Sequence, residues 1–161
     1  MVVSVNNVAS EPFPVTVSQF SPGIFQTTMS DGVVRAVLVR PDGSFVSVAN
    51  PARRGDLIRM FVTGLGQTNP TLFTDEFDPL VLVNGNFVPR AMPVAAGILV
   101  GVDNGGALTT WAGYAYGMVG VYEVDFQVPQ NSATGNDIPL AIVVYQGSSV
   151  VYGNPSEIPV M

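Results

Sequence analysis

Glu123 and Asp125 stand two apart in an alternating run, Val121-Tyr122-Glu123-Val124-Asp125-Phe126-Gln127-Val128. On an extended strand that spacing points both carboxyls to one face, about 7 Å apart along the backbone. Carboxyls separated by about 5–10 Å are the machinery of glycoside hydrolysis. The alternation with Val121 and Gln127 favours a plainer role, the outer face of a half-buried strand, with arginine partners as a structural variant. A second acidic group, Asp75, Glu76 and Asp78, lies in a proline-bounded loop. Calcium takes several hard oxygens, often from one loop, and Asp103-Asn104-Gly105 adds ligands only if it folds nearby. The spacing is not that of an EF-hand, and an acidic cluster on a loop commonly just faces water. Trp111, Tyr114, Tyr116 and Tyr122 offer aromatic faces for stacking against sugars. Tyr114 and Tyr116 flank Ala115 just before Gly117 and are expected to be the more exposed, whereas a lone Trp in a sheet protein is commonly core.

Two further motifs have simple structural explanations. Arg54-Gly55-Asp56 is the tripeptide of integrin adhesion, but Gly55-Asp56 also suits a tight turn into the apolar run that follows, which is the expectation here. Gly64-Leu65-Gly66 has no lysine after it and no helix start to cradle a phosphate; its glycines fit a bend or a close crossing of strands.

Composition narrows the chemistry further. The 161 residues include no Lys, His or Cys, and the net charge is −6. There is therefore no imidazole base, thiolate nucleophile, disulfide, zinc-thiolate site or lysine Schiff base. Carboxylates, hydroxyls and six scattered arginines remain, and the expectation is a non-enzymatic module. The acidic balance argues against nucleic acid, which requires clustered cations. The longest apolar run, 92–102, is broken by Pro93, Gly97 and Gly101 and falls short of the ~20 residues of a membrane span. The first residues lack the basic start of a signal peptide, so Met1 reads as an added start on a segment of a longer chain. The absence of Cys fits the cytosol and a bacterial exterior alike.

The elements that must position these residues are strands. Gly (17) and Pro (13) punctuate short β-branched and aromatic runs, and no extended helical periodicity is present. Residues 2–8 and 13–19 alternate, 57–64 is the best central strand with two largely apolar faces, and 119–128 alternates well. Turns are expected at Pro41-Asp42-Gly43-Ser44, Asn84-Gly85-Asn86, Asp103-Asn104-Gly105-Gly106 and Gly147-Ser148. Short strands with regular turn signals indicate a β-sandwich or barrel. A faint likeness between the two ends of the chain makes residues 1–20 an N-terminal strand or hairpin, either the edge of a preceding module or a linker. The domain proper is then 21–161.

Several stretches together resemble a known family. They are Ser21-Pro22-Gly23-Ile24-Phe25, Asn50-Pro51-Ala52-Arg53-Arg54-Gly55-Asp56, the Thr63-Gly64-Leu65-Gly66 run leading to Pro70, Tyr114 through Val124 with its Gly117, Gly120 and Tyr122, and Val128-Pro129. In this order they look like the uncharacterised C-terminal domain that recurs in large secreted proteins of Solibacter and other Acidobacteria. The match runs from about Ser21 to the end of the chain. Glu123 and Asp125 depart from the Gln and Asn preferred there, and 66–100 diverges. The resemblance implies an extracellular, immunoglobulin-like module with no assigned activity, and brings no catalytic residues.

The expectation is thus an all-β, immunoglobulin-like antiparallel β-sandwich. It would serve as a structural or adhesive module of a secreted or cell-surface bacterial protein, meeting neighbouring domains or subunits by strand-edge contact and assembling by strand addition. The alternative is a carbohydrate-binding accessory domain using Trp111, Tyr114 and Tyr116. Calcium at Asp75, Glu76 and Asp78 is the one cofactor the residue types suggest.

Overall fold

The computed structural model describes residues 1–73 and 79–161. Among them the chain is all-β, and no helix is long and apolar enough to cross a membrane. The strands are β1 (Ser4–Val5), β2 (Val8–Ala9), β3 (Gly23–Ile24), β4 (Gln26–Thr28), β5 (Val34–Ala36), β6 (Leu38–Val39) and β7 (Leu57–Thr63). They continue as β8 (Leu80–Val83), β9 (Asn86–Pro89), β10 (Gly97–Val102), β11 (Gly105–Tyr114), β12 (Tyr122–Gln127), β13 (Gly135–Gln146), β14 (Ser149–Tyr152) and β15 (Ser156–Val160).

Turn chemistry sets the hairpins. Asn6-Asn7, Asn84-Gly85 and Asp103-Asn104 all take positive φ between paired strands, the conformation whose twist matches a two-residue hairpin. The turns expected at 84–86, 103–106 and 147–148 are therefore present, and Arg40 N–H bonds Ser44 O across the Pro41-Asp42-Gly43 turn. At the start of the chain Asn6 and Asn7 divide what alternation alone suggests is one strand into β1 and β2.

One antiparallel sheet dominates, in the order β14-β13-β10-β11-β12-β7-β3, with β15 also paired to β13 and β6 to β7. It curls into a half-barrel at β11. The first residues of β11 pair with β10, the later ones with β12, and the register slips between Thr109 and Trp111. Such a bulge bends a strand and lets it serve two faces of a fold. Inside the curl, Ile58, Met60, Val62, Val124 and Phe126 from one limb meet Val100, Leu140, Ile142, Val144 and Ile158 from the other. β7 is buried on this face alone. Its outer face carries Leu57, 40% exposed, with Arg59, Phe61 and Thr63 half-buried, so the expectation of burial on both sides does not hold.

The glycines of Gly64-Leu65-Gly66 permit a close crossing, as their placement suggests. A Cβ at Gly64 would sit 1.9 Å from Ser21 O, and one at Gly66 would meet the Phe20 ring at 2.6 Å. Leu65 between them is fully buried.

Residues 1–19 contrast with this core, because all of them are exposed. The alternating stretch 13–19 forms no strand. An isolated strand has no ladder to satisfy it, whatever its side-chain pattern.

Candidate functional site

The outer face of β11-β12-β7 gathers most of the residues singled out from sequence. Register places Trp111 opposite Asp125 and Asp125 opposite Arg59, with Gly113, Glu123 and Phe61 forming the next row. Glu123 and Asp125 do share a face. Arg59 Nε lies 3.1 Å from Asp125 Oδ1 and 3.3 Å from Glu123 Oε2. The hydrogen bond to Asp125 holds the Arg59 guanidinium more firmly protonated than usual. Burial pushes the Glu123 carboxyl up; Arg59 opposes that shift and the Asp125 charge adds to it. Both acids are thus tied to one guanidinium. The hollow beside them, lined by Pro41, Leu57, Arg59 and Asp125, is about 70 Å³. Ligand sites commonly need about 300 Å³ or more, so this one has room for water and not for a sugar ring.

The aromatic residues do not form one platform. Trp111 and Tyr114 are three apart on β11 and so face opposite sides of the sheet. The Trp111 indole lies over Gly113, where a Cβ would approach it to 2.4 Å, and this half-buries it on the outer face. Tyr114 is only 8% exposed, contrary to the expectation drawn from its position before the Gly117 turn. The bend at residues 115–121 begins after it, so Tyr114 still belongs to the strand and points inward. Tyr116 is exposed in that bend. Tyr122 donates its hydroxyl to Gly66 O and is half-buried, and burial raises its pKa.

Arg54-Gly55-Asp56 is a turn. Asp56 N–H bonds Arg53 O at 3.0 Å, Gly55 has φ +87°, and Gly55 N–H bonds Val128 O at 2.8 Å. Arg54 Nε donates to Ser132 O at 2.8 Å, while Asp56 Oδ2 accepts from Arg53 N–H at 2.9 Å and Arg40 Nε at 3.3 Å. Both charged ends are held by the chain itself and are not extended toward a receptor. The neighbouring hollow of about 500 Å³ is lined by Arg40, Asp42, Arg53 and Asp56 among others. Arg40 Nη2 donates to Pro51 O at 2.6 Å and Asp42 Oδ1 accepts from Ser44 N–H at 2.8 Å, whereas Arg40 Nη1 is buried without a hydrogen-bond partner among the described residues.

The candidate calcium ligands Asp75, Glu76 and Asp78 lie outside the described residues. Among the described residues no group of three acidic side chains is placed to hold a metal. Asp103 Oδ2 instead accepts from Ala133 N–H at 2.6 Å.

Two features escape sequence reasoning. Arg35 is 1% exposed, and its guanidinium bonds both Asp31 oxygens at 2.8 Å, Asn136 O at 2.9 Å and Asp137 Oδ1 through Nε at 3.0 Å. The Arg35 hydrogen bond draws the Asp31 carboxyl below its ordinary value. Asp31 four residues earlier was a visible hint, but Asp137 is 102 residues away. The second feature is an apolar groove of about 520 Å³ beside the β4-β5 hairpin, walled by Thr28, Met29, Val37 and Phe45 among others. Among the described residues β4 and β5 form a two-stranded sheet of their own.

No family model matches this chain, and neither a curated protein nor a solved structure matches it.

Proposed function

We propose that this chain is a non-enzymatic, immunoglobulin-like module of an extracellular or cell-surface bacterial protein, and that it acts by engaging a neighbour through strand-edge contact. One observation carries the proposal. Residues 1–19 bury no side chain, yet they expose Val3, Val5, Val8, Phe13, Val15 and Val17 to water at 51–89%. Exposed apolar side chains recurring along one segment suit a surface that meets a partner. Residues 14–19 belong to no strand, and backbone without a ladder is suited to adding a strand to another sheet. The set of motifs from Ser21 onward supports the extracellular, immunoglobulin-like part of the proposal.

Solution mass tests it. The full chain should run well above 16.9 kDa at high concentration by light scattering, and removal of residues 2–17 should return it to a single folded chain. A full-length protein that stays monomeric up to millimolar concentration would refute assembly of this kind.

A further inference from the structure

Between the turns at residues 40–44 and 50–56 lies the hollow of about 500 Å³, which no residue of the N-terminal segment lines. We infer that it holds one hexuronate unit of an acidic polysaccharide, with the Arg53 guanidinium taking the carboxylate and Asp42, Ser44 and Asn50 taking ring hydroxyls. The site is separate from the strand-edge function proposed above and does not rest on it.

The walls are built in advance of any ligand. Arg40 N–H bonds Ser44 O and Gly43 N–H bonds Arg40 O, each at 2.9 Å, which closes the first turn. Asp56 N–H bonds Arg53 O at 3.0 Å, which closes the second. Arg40 joins the two, because its Nη2 donates to Pro51 O at 2.6 Å and its Nε to Asp56 Oδ2 at 3.3 Å. The 50–56 stretch is fastened to β15 in turn, where Ala52 N–H bonds Pro159 O at 2.9 Å. Walls fixed in this way have little freedom left to lose on binding. The volume is within the range of about 300–1,000 Å³ common to small-molecule sites, unlike the hollow beside Arg59.

Several groups that line the hollow remain open. Arg53 donates its backbone N–H to Asp56 Oδ2 at 2.9 Å, whereas its guanidinium is exposed and has no partner among the described residues. The Arg40 side chain is mostly buried, and its Nη1 is unpartnered and cut off from water. A buried charge is screened less than an exposed one, so the Arg40 field adds to that of Arg53. On the other turn Asp42 Oδ1 accepts Ser44 N–H at 2.8 Å, which leaves Oδ2 to accept from a ligand. Hydrogen bonding from Ser44 holds the Asp42 carboxyl below its ordinary value, so at neutral pH it is ionised and accepts only. Asn50 Nδ2 donates to Phe45 O at 3.0 Å, and its Oδ1 also remains to accept.

This separation of charge selects the ligand. A compact polyanion such as phosphate would bring its charge against Asp42 as well as Arg53, and like charges at close range repel. A neutral sugar would leave the Arg53 guanidinium without an acceptor. A uronate carries one carboxylate at one end of its ring and hydroxyl donors around the rest. Its carboxylate meets Arg53 in a charge-assisted bond, while its hydroxyls donate to the oxygens of Asp42 and Asn50. Pro51 adds a small apolar surface for the C–H face of the sugar ring.

Titration of the full chain with sodium glucuronate and sodium galacturonate, followed by backbone amide chemical shifts, tests this. At least one of the two should give saturable shifts in residues 40–44 and 50–56, with a Kd on the order of 1 mM. Glucose and acetate each supply only part of the contacts and should bind at least about tenfold more weakly. Arg53→Gln changes an exposed side chain and leaves the backbone bond to Asp56, so the fold is kept and its spectrum elsewhere reports that. It should weaken uronate binding about tenfold and leave glucose unchanged. Asp42→Asn should weaken uronate and glucose alike. Uronate binding that Arg53→Gln leaves unchanged, or acetate as tight as uronate, overturns the acidic-sugar assignment. An Asp42→Asn variant as tight as wild type overturns the hydroxyl-accepting wall. No saturable shift in the two turns up to about 100 mM of either uronate overturns the site. None of these outcomes depends on whether copies assemble, so the strand-edge function stands or falls separately.

Discussion

Arg35, the one charged side chain among the buried described residues, is the residue that most needs an explanation. Arg35 is retained because its three guanidinium nitrogens meet two carboxylates and a backbone carbonyl, so the cost of burying its charge is offset by charge-assisted bonds. Its partners are less enclosed, Asp31 at 32% and Asp137 at 58% exposure, and they return to water when the guanidinium is removed. Arg35→Ala should therefore cost about 2–4 kcal/mol in urea unfolding, and Arg35→Met, which keeps the volume, about half as much. A loss below about 1 kcal/mol for the alanine variant would mean that the clamp adds nothing. The pH dependence divides between two carboxyls of opposite sign. Asp31 lies below its ordinary 3.8, so its contribution is present above that value and is lost as pH falls through the folded pKa. Glu123 lies above its ordinary 4.5, so its contribution is present below that value and is lost as pH rises through the folded pKa. Glu123→Gln should accordingly match or exceed wild type in stability at pH 7, with the difference disappearing below about pH 4. A variant clearly less stable than wild type at pH 7 would show that the Arg59 contact outweighs the burial of Glu123.

Strands and turns carry the next level. Asn84-Gly85 and Asp103-Asn104 fix two hairpins through positive φ, and these were legible because turn chemistry is local, whereas alternation hid the Asn6-Asn7 turn inside one apparent strand. The same locality explains the misplacement of Tyr114: alternation along β11 is plain, but the residue at which the strand ends depends on the Ala115–Val121 hydrogen bond. Gly64 and Gly43 separate local from tertiary demand. Both have positive φ, but a Cβ at Gly43 meets open space whereas one at Gly64 lies 1.9 Å from Ser21 O. Gly43→Ala should cost about 1–2 kcal/mol of backbone strain. Gly64→Ala should cost more than about 4 kcal/mol or prevent folding, because it adds a backbone collision to the same strain. Similar melting temperatures for the two variants would show that the crossing of residues 21 and 64 relaxes freely.

For the whole molecule, the core and the exposed segment are energetically separate. Residues 1–19 bury nothing, so removing residues 2–17 should leave the melting temperature of the monomer within about 3 °C of wild type while it changes the solution mass. A large fall in melting temperature would show instead that the segment completes this fold. The sequence by itself determined the strand class, the hairpin turns, the one-sided placement of Glu123 and Asp125 and the glycine crossing at 64–66. Each depends on backbone geometry or a period of two, both of which are properties of neighbours along the chain. Only the tertiary structure decided the partners. It placed Arg59 between two acids one strand away, set Asp137 beside Arg35 from 102 residues off, and carried β11 through Tyr114 so that its ring is buried. Long-range pairing depends on which edges remain open after the sheet curls, and that is settled by packing of the whole core and not by local pattern.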